Sequence, residues 1–143
     1  MRWNVWTYWE DTPTRAVQSC WNTWKPHLPF GWQVRVLNNK DIQRYTTSLP
    51  LSFRTLSPTT KSDVVRLNVL ARYGGLWLDA STILTANLTW LERMENRSFF
   101  AFRLSQRTYV ESWFLFVPRE NDRHVWSWLR TLNDVLDMKP HYI

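Results

Sequence analysis

Asp79 is the residue in this chain best placed to do chemistry. It follows the apolar run Leu76-Trp77-Leu78 and precedes Ala80-Ser81-Thr82, so a buried strand would deliver one carboxylate and two hydroxyls beyond its end. Oxygen donors of this kind suit hard cations such as Mg²⁺ or Mn²⁺, which one or two carboxylates can hold together with water and a ligand's phosphates. The plainer alternative is that Asp79 caps the next turn. A second acidic pair, Glu10-Asp11, closes another strand-like run. Asp63 and Arg66 are three apart in a helical stretch and therefore share a face. They form either an exposed ion pair of little worth or a hydrogen-bonding fork for a polyhydroxylated ligand.

These residues need elements to position them. In an open α/β sheet, ligands bind beyond the carboxyl ends of the strands. Residues 3–9 are aromatic and β-branched and read as a strand. Thr12-Pro13 reads as the cap and first position of a helix whose apolar face is Ala16, Val17, Cys20, Trp21 and Trp24, ending before Pro26. Trp32, Val34 and Val36 alternate with polar residues, which predicts a second strand, and a helical turn over 39–45 takes Asn39 as its cap. Residues 46–60 read as loop. Lys61 to Tyr73 is an amphipathic helix ended by Gly74-Gly75, where glycine can take the left-handed cap conformation. Leu76 to Leu78 is a buried strand, and a short helix lies near 88–95. Strands at 98–103 and 112–117 precede a last helix from about 121 to 137, with Val125, Leu129, Leu132 and Leu136 on its inner face. This alternation predicts an α/β fold with a mainly parallel sheet flanked by helices, in one domain over residues 1–143.

Composition narrows the chemistry further. Three glycines, Gly31, Gly74 and Gly75, cannot build GxGxxG or a Walker A loop, so both standard Gly-rich phosphate cradles are excluded. A single cysteine, Cys20, rules out an internal disulfide and a multi-cysteine zinc site. No GxSxG elbow occurs, and the three histidines are far apart in sequence. The net charge of +6 favours anionic ligands. The basic residues are scattered rather than clustered, so nucleic acid is not an expected partner. Eleven tryptophans suit either core packing or stacking on bases and sugar rings. Trp21, Trp24, Trp126 and Trp128 read mostly as core, whereas Trp3, Trp9 and Trp113 could do either. No apolar run is long enough to span a bilayer and no signal peptide is visible, so the expected location is cytoplasmic, compatible with peripheral membrane association.

Ser62-Asp63-Val64-Val65-Arg66-Leu67, followed by Tyr73-Gly74-Gly75-Leu76-Trp77-Leu78-Asp79-Ala80-Ser81-Thr82, resembles the signature of the capsular polysaccharide synthesis glycosyltransferases. It is also similar to the wider group of sugar transferases with a DXD-containing sugar-binding region. Val5 to Glu10, Trp32 to Leu37, Phe100 to Arg103 and Glu111 to Phe114 resemble further segments in the same order, so the likeness spans nearly the whole chain.

The resemblance implies a GT-A (Rossmann-like) domain, a UDP- or GDP-sugar donor, a glycan acceptor, and Mn²⁺ or Mg²⁺ on the donor diphosphate. Residue by residue, it implies Trp6 stacking on the base, with Thr7 beside it. Asp63 and Arg66 would bond the donor sugar or ribose, and Trp77 would lie near the nucleotide. Asp79 would be the metal carboxylate and, with Arg66, the catalytic pair. Ser81 stands where a second acidic residue would complete DXD, which implies weaker metal binding, a hydroxyl or water in the second place, or a metal-poor enzyme. Glu111, as a base or sugar contact, and Ser112 would be further donor contacts, and Arg103 would face the diphosphate or serve in a structural salt bridge. Relatives of this kind carry more C-terminal sequence, so the acceptor side is the part expected to be incomplete. A non-catalytic nucleotide- or glycan-binding module derived from such an enzyme is the alternative function.

Overall fold

A computed structural model describes residues 3–138. Five strands form one sheet in the order β2-β1-β3-β5-β4: β1 (Asn4–Tyr8), β2 (Gln33–Leu37), β3 (Gly75–Leu78), β4 (Phe100–Ala101) and β5 (Phe114–Val117). The helices are α1 (Arg15–Asn22), α2 (Ile42–Tyr45), α3 (Pro58–Tyr73) and α4 (Arg123–Met138).

The sheet is mixed within an α/β fold, so the expectation of a mainly parallel sheet is met in part. β2, β1 and β3 are parallel, whereas β5 runs antiparallel to both β3 and β4. The chain passes from β4 to β5 through residues 102–113, which form no crossover helix, and β5 returns antiparallel beside β4. The polarity has a functional result. Leu78 pairs with Phe114, so the start of β5 lies at the same end of the sheet as the finish of β3.

Strand alternation sends successive side chains to opposite faces, and both faces are covered. Trp6, Tyr8, Trp77, Leu115 and Val117 pack with α3 and α4 residues such as Val65, Val69, Val125 and Leu136. Trp3, Val5, Leu76, Leu78, Phe114 and Phe116 pack on the other face with Trp24, Trp32, Leu88 and Leu91. Central strands buried on both sides read as continuous apolar runs, as β3 and β5 do. The alternation in β2 has a different origin, because β2 is an edge strand and Val34 is exposed.

Several helix starts differ from the sequence reading. Helix α1 is capped by Thr14, whose Oγ1 accepts from the Val17 amide at 3.2 Å, and of its expected apolar face Val17 and, just beyond the helix, Trp24 are buried. Helix α3 begins at Pro58 rather than Lys61, because Ser57 and Pro58 supply the cap hydroxyl and the preset first position. Asn38, not Asn39, satisfies the amides of Lys40 and Asp41 ahead of α2. The stretch 46–60 also contains a 3₁₀ turn at Phe53–Thr55, and the helix expected near 88–95 is 3₁₀ over Thr89–Met94.

The double glycine does more than stop α3. Gly74 has φ 67° and ψ −164°, outside the left-handed helical cap geometry that was expected, and Gly75 has φ 106°. A Cβ on Gly75 would lie 2.4 Å from the Asn4 carbonyl oxygen, and one on Gly74 2.7 Å from that of Val117. Gly74 also presents its carbonyl to the Trp6 Nε1–H at 2.9 Å. The helix therefore turns into the central strand inside the sheet's own backbone, and this turn sets where β3 ends.

Candidate functional site

A crevice of about 420 Å³ opens at the carboxyl ends of β1 and β3. Tyr8, Trp9 and Glu10 line it from β1, and Asp79, Ala80 and Ser81 from β3. The first half of α3, including Ser62, Asp63 and Arg66, and Ser112 ahead of β5 complete the wall.

Arg66 is the centre of the arrangement. It faces inward from α3, with its side chain only 8% exposed, and spends its fork on two carboxylates. Nη1 donates to Asp63 Oδ1 at 2.7 Å and Nη2 to Asp79 Oδ1 at 2.9 Å. The guanidinium carbon sits 5.1 Å from the centre of the buried Trp77 ring, in cation–π contact. Trp77 Nε1 donates to the same Asp79 Oδ1 at 2.8 Å. Asp79 is thus held by two donors on one oxygen, and its Oδ2 accepts no hydrogen bond among the described residues. The turn beyond it closes through backbone, with Thr82 N donating to the Asp79 carbonyl at 2.9 Å. The capping alternative for Asp79 is therefore not the one adopted. Nor are Asp63 and Arg66 an exposed pair, since the arginine is buried between two acids.

A second polar cluster borders the crevice at Glu10. Lys61 Nζ and Asn39 Nδ2 both donate to Glu10 Oε1, at 2.6 and 3.0 Å, and the Tyr8 hydroxyl donates to Asn39 Oδ1 at 2.9 Å. The Lys61 hydrogen bond, helped by Asn39, holds the Glu10 carboxyl below its ordinary range, while burial and then the Glu10 charge push the Tyr8 phenol up. A carboxyl depressed in the folded state contributes stability at neutral pH that is lost as pH falls through its folded value. Replacing Lys61 by Met should therefore make the fall in Tm between about pH 5 and about pH 3 shallower than in the parent. Circular dichroism melts across that range test this, and equal slopes would count against it.

The residues named from sequence separate in space. Asp63, Arg66, Asp79, Ser81 and Ser112 meet in the crevice. Trp77 does not reach it and acts on Asp79 from below. Trp6 and Thr7 are closed inside the sheet. Trp6 is 1% exposed and packed against Tyr45 and Tyr73, so it has no free face for a base, and Thr7 Oγ1 is buried with no hydrogen-bond partner among the described residues. Glu111 faces a separate apolar groove of about 370 Å³, lined also by Leu67, Val110, Leu115 and Trp128, which shares Asp63, Arg66 and Ser112 with the crevice. Arg103 is exposed and lines neither space. Trp3 and Trp24 are core, Trp9 is half-buried in the crevice wall, and Trp113 and Trp128 are exposed. Sequence reasoning missed Lys61 altogether, because its partner Glu10 lies 51 residues away and no local pattern links them.

The lining carries three carboxylates (Glu10, Asp63, Asp79) against one guanidinium, a formal charge of −2 on a chain whose total is +6. An anion does not enter such a crevice on the strength of the protein's overall charge. Among the described residues no three His, Cys, Asp or Glu side chains converge to hold a metal ion. The donor set nevertheless fits a hard divalent cation in a limited way, because Asp79 Oδ2 is available and the remaining positions suit water and a ligand's phosphates. No helix among the described residues is long and apolar enough to cross a membrane.

The chain matches the family model of the capsular polysaccharide synthesis protein over residues 2–138. No curated protein matches it. The match takes in every element that builds the crevice, from the end of β1 to the start of β5, and points to a role in capsule biosynthesis. The chain belongs to the capsular polysaccharide synthesis protein family.

Proposed function

We propose that the chain is a glycosyltransferase of GT-A type that binds a UDP- or GDP-sugar in the Asp79 crevice with Mn²⁺ or Mg²⁺ and passes the sugar to a glycan acceptor. The observation that carries this reading is the pairing of a pre-oriented carboxylate with an acidic wall. Asp79 offers one oxygen fixed by Arg66 and Trp77 and a second oxygen left open. An accompanying cation favours a diphosphate in a lining of formal charge −2, one carboxylate of which Lys61 already pairs, and sugar hydroxyls are natural donors to the remaining carboxylate oxygens.

When bound, the cation neutralises charge on the departing nucleoside diphosphate. The chain's own residues do the rest. Asp79 Oδ2 is the metal ligand, in a DXD-like site where Ser81 supplies a hydroxyl in place of the second acid. Arg66, locked between Asp63 and Asp79, keeps both carboxylates aimed into the crevice and limits their reorientation as the donor arrives. Glu10, anchored through one oxygen by Lys61 and Asn39, has its other oxygen for ribose or sugar hydroxyls, and Ser112 adds a hydroxyl from the opposite wall. With Trp6 enclosed, base stacking passes to Trp9, the half-buried tryptophan in the crevice. A nucleotide-sugar donor fits a cytoplasmic location, which we propose as well.

Calorimetric titration with UDP- and GDP-sugars, in Mn²⁺ and in EDTA, followed by detection of released nucleotide, tests the reading. We expect binding in Mn²⁺ only, with slow nucleotide release. Cation-dependent binding without release, even with glycan acceptors supplied, would favour a binding module, in line with the single carboxylate at the metal position. Binding that ignores the cation would overturn the proposal.

A further inference from the structure

The connection between β4 and β5, residues 102–113, concentrates exposed apolar side chains. Phe102, Leu104, Tyr109, Val110 and Trp113 account for five of the twelve exposed large hydrophobic residues among those described, with Leu104 at 57% and Tyr109 at 55%. The segment is held in shape by its own bonds. Glu111 N donates to the Phe102 carbonyl at 2.7 Å and Arg107 N to that of Leu104 at 2.9 Å. The Phe102 and Trp113 rings stack at 5.6 Å with an interplanar angle of 12°. Arg103 and Arg107 are exposed on the same segment against Glu111 alone, and the Arg107 guanidinium lies 5.7 Å from the Tyr109 ring centre. The crevice lining holds −2 of a chain at +6, so the rest of the chain carries +8.

An ordered connection this rich in exposed apolar groups marks an interaction surface. Its chemistry selects the partner. Tryptophan and tyrosine join an apolar ring to a polar tip, as the headgroup layer of a bilayer requires, and arginine can place its stem in the apolar layer with its charge among phosphates. The segment's own net charge of +1, from Arg103 and Arg107 against Glu111, complements acidic headgroups. We propose that residues 102–113 dock the protein on an anionic phospholipid surface, with Leu104 and Tyr109 entering the interface and Arg103 and Arg107 meeting lipid phosphates. Because Ser112, the last residue but one of this segment, lines the crevice, docking would hold the crevice mouth against the membrane. This inference does not depend on the transferase reading.

Flotation of the full chain with vesicles of phosphatidylcholine alone, or mixed equally with phosphatidylglycerol, tests it. Binding is expected to the mixed vesicles and to weaken as salt is raised. The double variant L104S/Y109S should lower the partition coefficient about tenfold or more. R103Q/R107Q should lower it about thirtyfold on mixed vesicles, at roughly 1 kcal/mol per arginine, and leave any binding to neutral vesicles unchanged. All four side chains are exposed, so unchanged far-ultraviolet circular dichroism and urea midpoints will confirm that both variants fold. The proposal is overturned if the parent does not float, or if both variants float as it does. It is equally overturned if sedimentation shows a dimer that L104S/Y109S dissolves, since a second copy would then be the occupant.

Discussion

Asp79→Asn is expected to weaken cation-dependent binding of a nucleotide-sugar by about a hundredfold or more while leaving the chain folded. Even groups that only orient a metal's ligands cost about 10–100-fold when changed, so loss of the sole carboxylate at the ion should reach the top of that range. The amide keeps the side chain's volume and still accepts from Trp77 Nε1. What it removes is the anionic oxygen available to a cation and half of the charge facing Arg66. Asp79 is 39% exposed and Asp63 still pairs with the buried Arg66, so the variant should fold with some loss of stability. Titrations of parent and variant in Mn²⁺, with urea unfolding as the control for folding, separate the two effects. Equal affinity in the two proteins would remove Asp79 from the metal site and the transferase reading with it.

The second large effect concerns stability. Gly75→Ala is expected to cost about 3 kcal/mol or more, from a backbone conformation that L residues avoid and a clash with Asn4. A domain of this size has on the order of 5–15 kcal/mol in total, so the variant should unfold at a far lower urea concentration or fail to accumulate in soluble form. The neighbouring atom is a carbonyl oxygen in the paired strand β1, which cannot move aside without disturbing the β1–β3 ladder. A urea midpoint within error of the parent's would show that the helix-to-strand turn can relax.

Much of this architecture was legible in the sequence, for identifiable reasons. The apolar run before Asp79 fixed β3, and the glycine pair fixed where α3 stops. The spacing of Val125, Leu129 and Leu136 gave α4 within two residues. Both strands of the antiparallel half were read from the sequence, near 98–103 and 112–117, but nothing in their pattern gives their direction. In the site, Asp63, Arg66 and Asp79 were identified, yet their relation was not. Nothing in their spacing says that one guanidinium bridges both acids, since the two contacts arise from packing α3 against β3. Trp6 was misplaced for a geometric reason. A central strand covered on both faces buries each of its interior residues in the core, and a ligand at its end meets mainly the residues just past its last pairing. Here those are Trp9 and Glu10, which carry the polar and aromatic chemistry expected two or three residues earlier.

The reversal of direction at β5 separates two tasks that an all-parallel sheet would entangle. The carboxylates hang from helix and strand segments rooted in the core, whereas the opposite rim is contributed by a connection that leaves the sheet and returns to it at the same end. Lengthening or rewriting the chain between Phe102 and Ser112 would alter what approaches the crevice without shifting Asp63, Arg66 or Asp79. Descendants of one ancestral scaffold could thereby diversify what they serve by editing a single surface excursion, leaving the acidic grip as inherited.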